Sequence, residues 1–263
     1  MEVLRPRSLA EALELKAAQP EAVPIAGGTD VMVAVNFDRL RPPAFLDLEE
    51  VAELRGWSRR NGSVRLGARV TYTELMEAEL AEALPALAEA ARTVGSPQIR
   101  NRGTVGGNLG TASPAGDALP PLLVSGATVE VASVRGTRSL PLVDFLVGPK
   151  RNALEPDELV VSVTAQRVAG SETFMKVGPR NAMVIAVCSL ALRVDRESGS
   201  LAASFGSAGP TPGLVEAPLD EADGFPDRVA EAASPIDDVR GTAAYRRHAL
   251  RVLTGRALER CLA

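Results

Sequence analysis

The segment GSPQIRNRGTVGGNLGTASPAGDALP, residues 95–120, restricts the fold of this chain more than any other feature. It carries Gly95, Gly103, Gly106, Gly107, Gly110 and Gly116 and almost no large side chains. Glycine lacks a Cβ, so such a run permits unusual backbone angles and lets main chain come close to another body. Ile99, Val105 and Leu109 alternate with small residues, as in a buried strand approached by something large. A second glycine turn, Ala26-Gly27-Gly28-Thr29-Asp30, lies upstream. It follows the strand-like Val23–Ala26 and precedes the apolar VMVAV, with Thr29 and Asp30 as good N-cap types.

Each turn has two readings. Successive backbone N–H groups could face an anion such as a diphosphate. In the second turn, Thr104-Val105-Gly106-Gly107-Asn108, the Thr104 hydroxyl, the Gly106 and Gly107 amides and the Asn108 side chain would serve it. The plainer reading is a tight turn or a surface loop. Neither turn matches GxGxxG or a Walker A loop. Asp117 is open in the same way: it could cap the helix that follows or accept from ligand hydroxyls. Two similar turns in one chain point to a large phosphorylated cofactor clasped from both sides.

The rest of the chain reads as alternating helix and strand. Ser8 and Glu11 make a capping-box pattern before a helix over 9–18. Phe45–Leu48 is a short strand, and Asn61-Gly62 marks a boundary. A strand then runs into a helix capped by Thr71 or Thr73, and apolar spacing predicts a second helix over 81–93. A hairpin about Arg135-Gly136 and a strand near 158–165 follow. Three further strands, one over Ala182–Val194, precede helices over 225–233 and 241–262. Three mixed units, 1–56, 57–168 and 169–263, are the economical division.

Composition removes several classes of function. The net charge is −4, which disfavours a nucleic-acid partner. The chain has two cysteines and one histidine, too few for an iron–sulfur cluster or a His/Cys zinc site. Aromatic residues are 3%, too few for a base-stacking platform. No signal peptide or membrane span is evident, so a cytoplasmic protein is expected. His248 stands among arginines with no partner in register, and Cys188 lies in an apolar run as core packing. No general base can be named.

Three segments, AGGTD at 26, SPQIRNRGTVGGNLGTASPAGDALPPLL, and the tail DDVRGTAAYRRHALRVLTGRAL, occur in order. Together they resemble the FAD-binding, or medium, subunit of molybdenum hydroxylases of the xanthine dehydrogenase and aerobic carbon monoxide dehydrogenase type, over essentially the whole chain. The resemblance implies an α+β fold: two subdomains clasping FAD in the vanillyl-alcohol-oxidase manner, and a C-terminal α/β domain of the CO-dehydrogenase flavoprotein type. It implies FAD, expected to be non-covalent because neither glycine loop contains the His or Cys that covalent attachment commonly uses, with molybdopterin and [2Fe–2S] clusters only on a large and a small partner subunit. The expected assembly is a heterotrimer able to dimerise.

By position, Ile25, Ala26, Gly27, Gly28, Thr29 and Asp30 would form one pyrophosphate loop. Thr104, Val105, Gly106, Gly107 and Asn108 would form the other. Asp117 would hold the ribityl or ribose region, Val94 and Val160 would line the flavin, and Lys176 would stand near its ring. Some relatives place an aromatic residue at 184 or 94; both are valine here, and 178–183 lacks the acidic residues of some relatives. An electron-transfer subunit is the expected function. A self-sufficient flavin oxidoreductase and a non-catalytic assembly protein of the same fold are the alternatives.

Overall fold

The computed structural model describes residues 2–167 and 170–263. The expected division between 168 and 169 lies outside the described residues. In the first unit, β1 (Glu2–Leu4), α1 (Leu9–Ala18), β2 (Val23–Ile25), α2 (Val31–Asn36) and β3 (Ala44–Asp47) build a parallel sheet of order β1-β3-β2. Ser8 Oγ accepts from the Glu11 amide, and Glu11 accepts in turn from the Arg7 amide, one residue before the cap. Asp30 takes the N-cap position of α2, but its backbone is already helical and its side chain caps nothing. None of the six residues of α2 is buried.

The second unit opens with β4 (Trp57–Arg60) and β5 (Ser63–Gly67). Asn61 and Gly62 join them, both at positive φ. The pair is therefore a hairpin turn inside a sheet and not a boundary, as its left-handed preference favours. The helix expected over 81–93 is two helices, α3 (Ala78–Ala83) and α4 (Pro85–Thr93). Pro85 cannot continue the amide ladder, and it holds Leu84 out of the helical region.

The glycine-rich segment is helical, where a strand was expected. It forms α5 (Pro97–Arg102) and α6 (Val105–Thr111), capped by the Ser96 and Thr104 side chains, and then α7 (Leu119–Val124). Val105 and Leu109, taken as strand alternation, are one helical turn apart and both fully buried. β6 (Thr128–Ser133) and β7 (Gly136–Pro141) make the expected hairpin. α8 (Leu142–Phe145) leads to a small hairpin, β8 (Leu146–Gly148) and β9 (Arg151–Asn152), and then to β10 (Leu159–Gln166). The antiparallel sheet has order β4-β5-β10-β6-β7, so its last strand in the chain lies in its middle. One core runs through both units, with Ala12, Leu46 and Leu54 in the same cluster as Leu66, Leu109 and Val163.

In the third unit β11 (Gly170–Val177), β12 (Cys188–Asp195), β13 (Ser200–Gly206) and β14 (Gly213–Pro218) form an antiparallel sheet in chain order. The strand expected from Ala182 starts only at Cys188. Next come α9 (Phe225–Ala232) and α10 (Ala243–Leu262). α10 buries Leu250, Leu253, Ala257, Leu258 and Cys261 against the sheet, as their periodicity requires. The other sheet face meets α4 and α7 through Ala86, Ala90, Val124, Phe174, Ala191 and Ala202. The four alanines among them let helix and sheet come close. Among the described residues no helix is long and apolar enough to cross a membrane.

Candidate functional site

A cavity of about 980 Å³ opens between the first two units, with Met183, Val184 and Ile185 of the third at its edge. That volume lies at the upper end of the ~300–1,000 Å³ usual for small-molecule sites. The first wall is the loop after β2. Gly28 turns the chain at φ 74°. A Cβ on Gly27 would collide with the Arg102 carbonyl, so the loop is pressed against the end of α5. Gly27, Gly28, Thr29 and Asp30 all line the cavity. Their amides meet no acceptor among the described residues. Consecutive free N–H groups of this kind make an anion-binding concavity.

The second glycine loop departs from expectation. Thr104 caps α6, and its hydroxyl oxygen accepts from the Gly107 amide at 3.0 Å. The Gly106 amide donates to Ala68 O at 2.8 Å and that of Val105 to Val70 O at 2.9 Å. The two amides expected to hold a diphosphate are thus engaged within the protein. Gly106 serves packing: a Cβ there would lie 2.6 Å from the Cβ and the carbonyl oxygen of Ala68. Gly107 and Gly110 instead keep the cavity floor smooth, and nothing lies within 4 Å of a Cβ added at Gly110. Asn108 also lines the cavity, and its Oδ1 is buried without a partner.

Asp117 does not cap α7, whose N-cap is Ala118 with no side-chain bond. Asp117 is among the residues lining the cavity; its Oδ2 accepts from Lys176 Nζ at 2.6 Å, while Oδ1 is buried and unpartnered. Burial pushes this carboxyl above the usual carboxylate range, and the charge and hydrogen bond of Lys176 offset only part of that rise. Burial, and secondarily the Asp117 charge, push the nearby Tyr72 phenol up. Lys176 itself lies outside the lining, behind Asp117, and also donates to Thr93 O at 3.3 Å.

Val94 and Val160, expected to line the flavin, are among the residues lining the cavity. Ile25 and Val105 are not: Ile25 backs Gly28, and Val105 points into the core. The sequence reading missed Arg69, Glu158, Lys150 and Ile185, while Met183 and Val184 lie where it noted departures from relatives. Arg69 is held by Glu49 at 2.8 Å and leaves Nε unpartnered; strand alternation gave it no functional signal. Glu158 accepts two bonds from Arg138, at 2.7 and 2.6 Å, which fixes the adjacent Leu159–Val160 wall. Lys150 sits at φ 54° in the β8–β9 turn, for which Gly148-Pro149 was the one available sign. Val184 packs across Gly178, where a Cβ would clash with it. Away from the cavity, His248 is exposed, and burial pushes the Cys188 thiol up to about 12 and that of Cys261 up to about 11. Neither thiol is poised to react.

The residues lining this one cleft therefore include a run of acceptor-free amides, two side chains with unpartnered buried oxygens, Asn108 and Asp117, and apolar residues such as Val94, Leu159 and Val160. A family model described as the FAD binding domain in molybdopterin dehydrogenase matches residues 1–165. The chain belongs to this family. This FAD-binding subunit is 33% identical to the putative xanthine dehydrogenase FAD-binding subunit of Escherichia coli strain K12, over 98% of this chain and 95% of that one. It is 37% identical to the nicotinate dehydrogenase FAD-subunit of Eubacterium barkeri, over 74% and 69%. In the reconstituted CO dehydrogenase from Oligotropha carboxidovorans, a chain superimposes with a TM-score of 0.93 at 25% identity, over 99% and 97%. The family resemblance and the α+β FAD-binding fold expected from sequence are both borne out.

Proposed function

We propose that this chain is the FAD-carrying electron-transfer subunit of a molybdenum hydroxylase. Electrons would arrive from iron–sulfur clusters on a small subunit, after substrate oxidation at molybdopterin on a large one, and would leave to an external acceptor. The expected assembly is a cytoplasmic heterotrimer able to dimerise. Units 1–56 and 57–168 would clasp the cofactor, and 169–263 would close over its edge.

The observation that carries this reading is the pairing of acceptor-free amides at Gly27–Asp30 with donor-free oxygens on Asn108 and Asp117 among the residues that line a single cleft. The residues fit FAD: the amides suit its diphosphate, the two oxygens suit sugar-alcohol hydroxyls, and Val94, Leu159 and Val160 suit a ring system. When bound, FAD supplies a redox centre that exchanges one or two electrons. The chain's own residues bind and orient it and exclude water, while Gly107 and Gly110 leave room for it. Two cysteines cannot supply the ligands of two [2Fe–2S] clusters, so those belong on partners.

The purified chain should carry one FAD, and acid precipitation should release all of it into the supernatant. Dithionite should bleach the bound flavin, whereas organic substrate should do so only after mixing with iron–sulfur and molybdenum subunits. Steady oxidation of a xanthine- or aldehyde-type substrate by the chain alone, with no molybdenum detectable, would refute the proposal in favour of a self-sufficient oxidoreductase.

A further inference from the structure

We propose that residues 28–41 form a strap over the cofactor cleft, which swings open about Gly28 and Asp38 to admit FAD and is held shut by it. The proposal rests on the FAD reading above. The strap carries α2, and both of its ends reach the cleft: Gly28, Thr29, Asp30 and Val31 line it before the helix and Leu40 after it. Yet none of residues 28–41 is buried. Among the described residues, no hydrogen bond or ion pair joins this stretch to the rest of the chain. Its contacts are internal: the Met32 amide donates to Gly28 O at 3.0 Å, the Arg39 amide to Ala34 O at 2.8 Å, and Arg41 pairs with Asp38. The Arg39 guanidinium lies over the Phe37 ring. The anchors stand just outside. Gly27 is pressed against the Arg102 carbonyl, Pro42 is buried, and Pro43 O accepts from the Glu2 amide at 3.3 Å.

The physical consequence follows from helix length. Helices shorter than about 12–15 residues are marginal in water by themselves, and packing against the protein normally makes up the difference. α2 has six residues and joins two neighbouring parallel strands, β2 and β3, where a crossover helix ordinarily covers the sheet. Here the side turned to the protein carries only half-buried Val31, Ala34 and Val35, while Met32, Val33 and Phe37 are exposed on the other. The missing contact is supplied when FAD lies against Val31 and Leu40. Segments that gate sites are drawn from the parts of a fold that open most easily, those with few buried apolar groups. The backbone is left-handed at either end of α2, with Gly28 at φ 74° and Asp38 at φ 57°. A change at these two turns moves α2 as a unit and leaves β2 paired with β3.

The test uses the full chain, with and without saturating FAD. In the apo-protein the amides of α2 should exchange hydrogen within about tenfold of the rate in an unstructured peptide. FAD should slow them about tenfold or more, while the amides of β10 exchange slowly in both states. The second arm is A34G/N36G, which loosens the helix at two positions outside the cavity lining. By helix propensity it should speed FAD release about tenfold, read as the return of flavin fluorescence on dilution. Its apo Tm should stay within about 1 °C of wild type, because the strap adds nothing to the core. Slow exchange of α2 in the apo-protein would overturn the proposal, as would exchange that FAD leaves unchanged. So would wild-type FAD release in A34G/N36G, or a fall of several degrees in its apo Tm, which would make α2 part of the folded core. Failure of wild type to bind FAD is a different result: it would bring down the FAD reading, and the gating with it.

Discussion

Alanine at Gly106 and alanine at Gly110 should act in opposite directions, although both glycines belong to one short helix. At Gly106 the new Cβ would lie 2.6 Å from the Cβ and the carbonyl oxygen of Ala68. That carbonyl already accepts the Gly106 amide at 2.8 Å, and Ala68 is itself buried. No long side chain is there to swing aside, so α6 must shift against its neighbour, and overpacking of this kind costs ~1–3 kcal/mol. Better helix propensity returns up to ~1 kcal/mol. With a packing cost near the middle of that range, the net loss of ~1–2 kcal/mol should lower the apo Tm by ~2–8 °C for a chain of this size. At Gly110 an added Cβ meets nothing within 4 Å. The propensity gain of up to ~1 kcal/mol then stands alone and should raise the apo Tm by ~2–4 °C. The same methyl group narrows the cleft, so FAD affinity should fall about tenfold, on the order of 1.4 kcal/mol. Thermal melts of the apo-proteins and FAD titrations read the two effects separately. G106A melting at or above the wild-type temperature would refute the account of α6 packing. Unchanged FAD affinity in G110A would show that the cofactor does not cross the floor of the cleft there.

G28V and G107V should each weaken FAD binding more than tenfold, Gly28 also through its φ of 74°, and normal flavin retention in both would mark these loops as ordinary turns. Asp238 pairs with Arg240 and with buried Arg246, and their hydrogen bonds, Arg240 first, hold its carboxyl well below the usual carboxylate range. Its folded pKa is thus depressed, so its contribution is complete above the unfolded value and is lost as pH falls through the folded one. D238N should cost ~3 kcal/mol near neutrality, with the gap from wild type shrinking below about pH 4, and a gap that stays constant down to acid pH would contradict this. Cys188 and Cys261 should resist a thiol reagent at about pH 8 in the native protein and react fully in denaturant; fast native labelling would contradict their burial.

How much of this was legible in the sequence depended on whether the signal was local. The cap at Ser8, the hairpin at Arg135-Gly136 and the buried face of α10 follow from neighbours within a few residues, and the structure has all three. The Thr104–Asn108 segment was given the wrong geometry, because four-residue spacing between Val105 and Leu109 was taken for alternation. Its amides could not be known to be engaged, since the acceptors Ala68 and Val70 come from a distant segment. The same limit hid the pairing of Lys176 with Asp117. The lysine's sequence neighbourhood does not show that it stands behind Asp117, and only the packing of β11 on α4 does. Arg69 and Lys150 reach the cleft through long-range chain placement, which no local period encodes.

The central position of β10 has a consequence for how the chain is made. Ser162 and Val163 pair with Gly67 and Leu66 on one side and with Glu130 and Val129 on the other. During translation β5 and β6 leave the ribosome before the strand that joins them. Until Gln166 has emerged, the sheet exists as two hairpins with facing unpaired edges, which are templates for pairing with other chains. At ~5–20 residues per second the interval between the end of β6 and the end of β10 is on the order of seconds. A nascent chain stalled in that interval should recruit chaperones or aggregate, and one stalled far enough past Gln166 to clear the exit tunnel should do neither.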